Sequence, residues 1–337
     1  MAAAQPTVVS IDNLADMAVG VPHLLGFEPT ESLVAVAVSG RRQRIEFTMR
    51  LDLDDPCYDE RVADETAARM THAGATSVLL FVYTEQSRAD GLPRRPLVDA
   101  VAAALDVPLL DAALVADGRV WSYLCADSRC CPVEGRQLRP DSRGGVALAA
   151  AHALAGQAVL PDREAVVATT RRVTGIAARS MHQATDRAWE VLSDDEPDEE
   201  FRAESIKRVD QLCAQLAEPR YDLSHDDAAD IVVRLHDVLF RDALICRLAR
   251  DDEPLERLVE QVARLAQPPD DAPAAALLAV AAYLRGRGVV ASAAAERALG
   301  TDPSYSLAHL ILDALHSQID PRQLRELWRA PFPSEGL

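Results

Sequence analysis

A chain of 337 residues is longer than one hydrophobic core usually organises, so two domains is the starting expectation. Hydrophobic residues make up 49%, which excludes a chain too polar to fold. Asp and Glu outnumber Lys and Arg by 53 to 35, a formal charge of −18, so nucleic acid and anionic membrane surfaces are repelled unless a local basic patch intervenes.

Ser10 is the expected N-cap of a short helix ending before Pro22. A loop shaped by Pro22, Gly26 and Pro29 then feeds a strand at Leu33–Val38. That strand is apolar at every position, which predicts burial on both faces and a central place in a sheet. Ile45, Phe47, Met49 and Leu51 alternate with polar residues, as in a half-exposed strand paired to the first through a turn at Ser39–Arg44. The densest basic stretch, Arg41-Arg42-Gln43-Arg44, falls on this turn and Glu46 follows it. A helix over Tyr58–His72 ends at Gly74, and Val78–Tyr83 forms a second fully apolar strand. A helix over Pro96–Leu105 and a strand over Leu109–Ala116 come next. Asp117-Gly118 then makes a two-residue turn into a fifth strand, Arg119–Leu124. The order ββαβαββ predicts a mixed sheet of about five strands with at least one parallel crossover.

Past Gly144-Gly145 only a helical rhythm remains, in runs at about 145–155, 162–192, 199–217, 224–250, 253–266, 273–285, 289–299, 304–317 and 321–329. Ser193–Glu200, with six acidic residues in eight, reads as a solvated link. Leu277–Leu315 has the small-residue pattern of a tetratricopeptide-like helix pair. The chain is thus an α+β, mixed protein: an α/β domain over 1–157 and an all-helical domain over 158–337.

Lys207 is the only lysine. No GK[ST] phosphate loop can exist, and a single side chain, in a charged helical stretch, could form a Schiff base. No Lys or Arg precedes Arg41, acidic residues interrupt the opening segment, and no apolar run is long enough to span a bilayer. The expectation is a cytoplasmic chain with six reduced cysteines and neither a nucleic-acid nor a membrane partner.

Three stretches carry a family resemblance. They are Leu24-Leu25-Gly26-Phe27-Glu28-Pro29-Thr30-Glu31-Ser32-Leu33-Val34, the run from Cys125 through Cys130-Cys131-Pro132 to Gly135, and Asp302-Pro303-Ser304-Tyr305-Ser306-Leu307-Ala308. In this order they resemble an uncharacterised actinobacterial family, domain-of-unknown-function family 4192. The resemblance implies a GC-rich source, in keeping with the Arg and Ala bias, and brings no reaction, ligand or functional residue with it.

Cys125, Cys130 and Cys131 fall within seven residues at the exit of the fifth strand. Three thiolates could hold Zn²⁺ with a fourth ligand from elsewhere, His152 being the nearest histidine in sequence. The vicinal pair departs from the spaced pairs of structural zinc sites. Reduced thiols packing a turn are therefore the favoured reading, with zinc and a Cys125–Cys130 redox bridge as alternatives, and no cofactor is expected. Asp52, Asp54 and Asp55 leave the second strand together and could bind Mg²⁺, but capping the next helix by Asp54 or Asp55, with Pro56 in its first turn, is favoured. Glu85 and Arg88 follow the central strand, where ligands enter open α/β sheets, and could act as acid or base and as anion clamp. An ordinary polar loop is the simpler reading. Ser32 sits in no G-x-S-x-G elbow, and His225 and His236 lack a helical metal spacing. The function expected is a non-catalytic, cytoplasmic protein-interaction or regulatory module. The alternative is an enzyme of unrecognised type acting on a small molecule at the sheet edge near Asp52, Glu85 and Arg88.

Overall fold

Asn13 opens the first helix, α1 (Leu14–Leu25), by accepting a hydrogen bond from the Asp16 backbone N–H at 2.9 Å. The computed structural model describes residues 13–40, 44–86, 88, 91–154, 158–192, 197–218 and 222–329, the side chains of residues 143 and 154 excepted. Ser10, the basic turn residues 41–43, Ser87 and residues 193–196 of the acidic stretch lie outside these, and so do the expectations attached to them. Helix α1 does not end before Pro22 but runs through it. Proline has no N–H for the Ala18 carbonyl, and the Tyr83 hydroxyl, from the facing strand, donates to that oxygen at 3.3 Å. Gly26 closes the helix in the left-handed region at φ 81°.

The chain divides into two compact units, Met1–Ala165 and Val166–Leu337. The first holds a six-stranded sheet. Its strands are β1 (Ser32–Ser39), β2 (Arg44–Asp52), β3 (Ser77–Tyr83), β4 (Leu109–Ala116), β5 (Arg119–Ser122) and the two-residue β6 (Arg136–Gln137). A 3₁₀ turn at Pro56–Tyr58 leads into α2 (Asp59–His72); α3 (Arg95–Ala104) and α4 (Arg143–Leu154) complete the unit's longer helices. The sheet order is β2-β1-β3-β4-β5-β6, with β3 and β4 the parallel pair joined through α3. The sixth strand, absent from the expectation, is too short to show alternation.

Period-two geometry explains the layers. Leu33, Ala35 and Ala37 of β1 face the core made with α2 and α3, through Val62, Met70, Leu97 and Val101. Val34, Val36 and Val38 face the opposite core, against Ala18 and Val21 of α1. Burial on both faces is what the unbroken apolar run of β1 predicts. Strand β2, at the sheet edge, buries only Met49. Asp117 and Gly118, at φ 49° and 67°, make the tight turn between β4 and β5. The glycine pair at the start of α4 lets that helix approach α1: a Cβ on Gly145 would lie 2.7 Å from the Pro140 carbonyl and 3.1 Å from Val19.

Helices are the regular elements of the second unit's described residues. Its elements are α5 (Arg163–Ala168, begun in the first unit), α6 (Gly175–Val191), α7 (Glu199–Leu216), α8 (His225–Arg234) and α9 (Val238–Leu248). They continue with α10 (Glu253–Leu265), α11 (Ala272–Leu284), α12 (Gly288–Thr301), α13 (Ser306–His316) and α14 (Pro321–Arg329). Two expected runs are broken. The run 162–192 stops at Ala168 and restarts at Gly175, whose φ of 67° is left-handed. The run 224–250 is interrupted because Asp237 turns its carboxylate onto the Leu239 N–H and caps a new helix. All 13 residues of α11 are buried, so this Ala-rich helix is the spine on which α9, α10, α12, α13 and α14 pack.

Candidate functional site

The stretch after β5 is held by a sequence of local hydrogen bonds. The Ser122 hydroxyl donates to Asp111 at 2.7 Å and accepts from the Leu124 and Cys125 N–H groups at 3.1 and 3.0 Å. The Asp127 carboxylate receives the Arg129 N–H, and its carbonyl receives those of Cys130 and Cys131, at 3.0 and 2.7 Å. This turn folds the vicinal cysteines back over Cys125. The three Sγ atoms lie within 4.8 Å of one another. Among the described residues they are the only group of three or more His, Cys, Asp or Glu side chains so placed. Cys130 is exposed, while Cys125 and Cys131 are half-buried. Burial, then hydrogen bonds with Cys125 and Cys130, pushes the Cys131 thiol up to about 12.

The loop closes on Trp121, whose indole N–H donates to the Val133 carbonyl at 3.0 Å. Gly135 stands at φ 76°, and a Cβ there would lie 2.3 Å from the indole ring. Gly135→Ala is expected to displace Trp121 and destabilise the unit by about 1–3 kcal/mol. Urea unfolding followed by tryptophan fluorescence checks this, and an unchanged midpoint would contradict the packing described.

The other candidates are engaged in structural contacts. Asp55 accepts the Cys57 N–H at 2.9 Å and so caps the 3₁₀ turn that begins at Pro56, whereas α2 itself starts after Tyr58 with no side-chain cap. Asp52 pairs with Arg50 at 2.5 Å, and the Asp54 carboxylate lies 3.6 Å from Arg61. Glu85 is exposed, and its N–H is held by the Glu31 carboxylate at 2.9 Å. Arg88 turns to Asp117, 2.8 Å away, and lies over the Trp121 ring at 4.3 Å. Ser32 is buried, donating to the Thr30 carbonyl and accepting from Arg50 Nε at 2.7 Å. His152, the histidine nearest the thiols in sequence, lies ring to ring with His23 at 5.3 Å and is outside the thiol group.

The sequence reading misses two buried ionic sites and one histidine contact. Asp59 and Arg94 pair at 2.5 Å in the first unit, and Asp271 meets Arg297 at 3.0 Å and Arg172 at 3.2 Å in the second. Burial, then the charge of His152, lowers His23, whose Nδ1 has no hydrogen-bond partner among the described residues. An open hollow of about 560 Å³ lies between α2 and α3, lined by Asp64, Ala67, Thr71, His72 and Asp106 among others. It sits beside the start of β4, the end of the parallel pair opposite the Glu85 loop, so it does not unite the residues singled out for catalysis.

The family model for a domain of unknown function, DUF4192, matches residues 15–322. The chain belongs to the DUF4192 family. The match takes in both units and all three stretches on which the resemblance rests. Two of those stretches have evident structural work in this DUF4192 chain. The first is the α1-to-β1 passage, where Gly26 and Glu28 each exchange a backbone bond with Leu160, at 2.9 and 3.0 Å, and Phe27 is buried. The third is the turn into α13, where Asp302 caps Ser304 and the Tyr305 hydroxyl accepts from Arg241 at 3.0 Å. The second is the thiol loop. No curated protein and no solved structure matches the chain.

Proposed function

We propose that this DUF4192 chain is a non-catalytic, cytoplasmic interaction or regulatory module whose partner is a protein docking on the helical unit. The observation that carries the reading is the surface around Trp189 and His236. Trp189 of α6 meets the His236 ring at 5.1 Å, and both side chains reach Asp270, at 3.3 and 3.4 Å. Within three residues of these two the chain exposes Val191 (85%), Val238 (51%) and Leu239 (56%). Large apolar side chains left exposed beside this pair on a strongly acidic protein suit a partner that offers an apolar anchor flanked by basic residues. The tetratricopeptide-like pair α11 and α12 serves this reading as a spine rather than as a groove, because α11 has no exposed face. The scarcity of lysine and abundance of arginine and alanine fit a GC-rich actinobacterial host. No helix among the described residues is long and apolar enough to cross a membrane, and the net charge of −18 disfavours nucleic acid.

The test compares the native chain with a Val238→Asp, Leu239→Asp variant, both tagged and recovered from the native cell. The variant is expected to keep its thermal midpoint and lose a protein that the native chain retains at several salt concentrations. Recovery of the bare native chain, or equal retention by the variant, would sink the proposal.

A further inference from the structure

We propose that Cys125, Cys130 and Cys131 form a three-thiolate site for a thiophilic divalent cation, Zn²⁺ first among them, with a fourth position open to water. The geometry carries this. Zinc–sulfur bonds of about 2.3 Å in a tetrahedron set sulfur–sulfur edges of about 3.8 Å. Sulfurs already within 4.8 Å of one another need to draw inward by only about 0.6 Å each to reach that spacing. A disulfide would use two of the thiols and leave the third outside; all three converging is the arrangement that a metal uses and a disulfide does not.

The surroundings fit the same chemistry. The backbone of the loop is fixed by Ser122 and Asp127 before any cation arrives, so little ordering remains to oppose binding. Cys125 and Cys130 stand in a C-x₄-C relation, within the spacing of paired zinc cysteines, and Cys131 follows on the same turn. Exposed Cys130 gives a path from solvent, whereas half-buried Cys125 and Cys131 shield the sulfurs from it. Three thiolates around a divalent ion carry one net negative charge. Arg136 donates to the Cys130 carbonyl at 2.9 Å, which places a guanidinium beside that charge. On binding, each thiol gives its proton to solvent, three metal–sulfur bonds form, and no electron is transferred. Because only the deprotonated thiolates ligate, affinity falls as pH is lowered.

The experiment uses the full chain, purified under reductant without chelator. Elemental analysis is expected to find near one zinc per chain, and the stripped protein titrated with Co²⁺ to develop thiolate-to-metal absorption with the intense visible bands of tetrahedral cobalt. Cys125→Ser, Cys130→Ser and Cys131→Ser should each weaken binding beyond the roughly 100-fold that outer-shell changes reach. Cys57→Ser, at an exposed thiol elsewhere in the unit, should leave it unchanged. Should the serine variants fail to fold, alkylation of the native chain decides: Zn²⁺ is expected to protect these three cysteines while Cys57 reacts at its usual rate. Absence of both zinc and cobalt–thiolate absorption, binding undiminished in folded serine variants, or equal alkylation with and without Zn²⁺ would each overturn the site.

Discussion

Asp271→Asn is expected to lower the stability of the helical unit by about 3–5 kcal/mol, the cost of breaking a buried ion pair from one side. For a unit of this size that is a fall in thermal midpoint of roughly 6–20 °C. Asp271 has no exposed surface. Its carboxylate accepts from Thr301 at 2.7 Å and from Arg297 Nε and Nη2 at 3.1 and 3.0 Å, with Arg172 at 3.2 Å. Arg297 also donates to the Thr170 and Ala266 carbonyls, so one anion ties the segment before α6, the end of α10 and the last turns of α12 together. Asparagine keeps the size but removes the charge and one acceptor. Arg297, whose guanidinium burial already lowers, is then left inside without its counter-ion. The contrast is Glu253–Arg257, shorter at 2.6 Å but more than half exposed at both ends, where Glu253→Gln should change stability by less than about 0.5 kcal/mol. Replacing both Asp271 and Arg297 with apolar residues of similar volume should recover much of the loss. Differential scanning calorimetry reads all three, and an Asp271→Asn chain within about 1 kcal/mol of the native one would refute the argument.

The sheet was legible where the chemistry is local. An unbroken apolar run gives β1 its two buried faces, alternation gives β2 its place at an edge, and the Asp-Gly pair gives the turn before β5. The cap at Asp55 was legible for the same reason: proline follows it. What sequence did not disclose depends on partners distant in the chain. Pro22 looks like a helix end until Tyr83 supplies the hydrogen bond that Ala18 would otherwise lack. Asp270 and Asp271 are neighbours with the same side chain, yet one is on the surface cluster with Trp189 and the other is fully buried. Arg94 and Arg95 differ likewise, Arg94 facing Asp59 and Arg95 the Tyr123 carbonyl. Composition cannot say which of two identical residues turns inward, because that is decided by what packs above it. The thiols fall between these cases. Their clustering was visible as spacing, but their convergence depends on Asp127 accepting both following N–H groups, a geometry that the spacing of cysteines does not encode.

A second large effect lies in the α/β unit. Arg94→Met is expected to cost about 3–5 kcal/mol near neutral pH, because it leaves the Asp59 carboxylate buried without its cation. The Arg94 side chain is 4% exposed, donates to Asp59 at 2.5 Å and also holds the Asp54 carbonyl at 2.8 Å, so the substitution releases both sides of the α2 start. Methionine keeps the aliphatic bulk and inherits the backbone at φ 58°, so the loss reports on the guanidinium rather than on volume or strain. Its pH dependence separates this account from simple misfolding. Burial, opposed by Arg94, raises Asp59 above its ordinary 3.8. A carboxyl raised on folding contributes most stability below its unfolded value and loses it as pH rises through the folded one. Without Arg94 the folded value climbs further, so the deficit of Arg94→Met should be smallest near about pH 4 and widen toward neutrality. Adding Asp59→Asn to Arg94→Met should recover part of the loss at neutral pH and little in acid. Urea titrations at the two pH values measure this, and a deficit that does not change with pH would show that Asp59 is not the group left exposed to the low-dielectric interior.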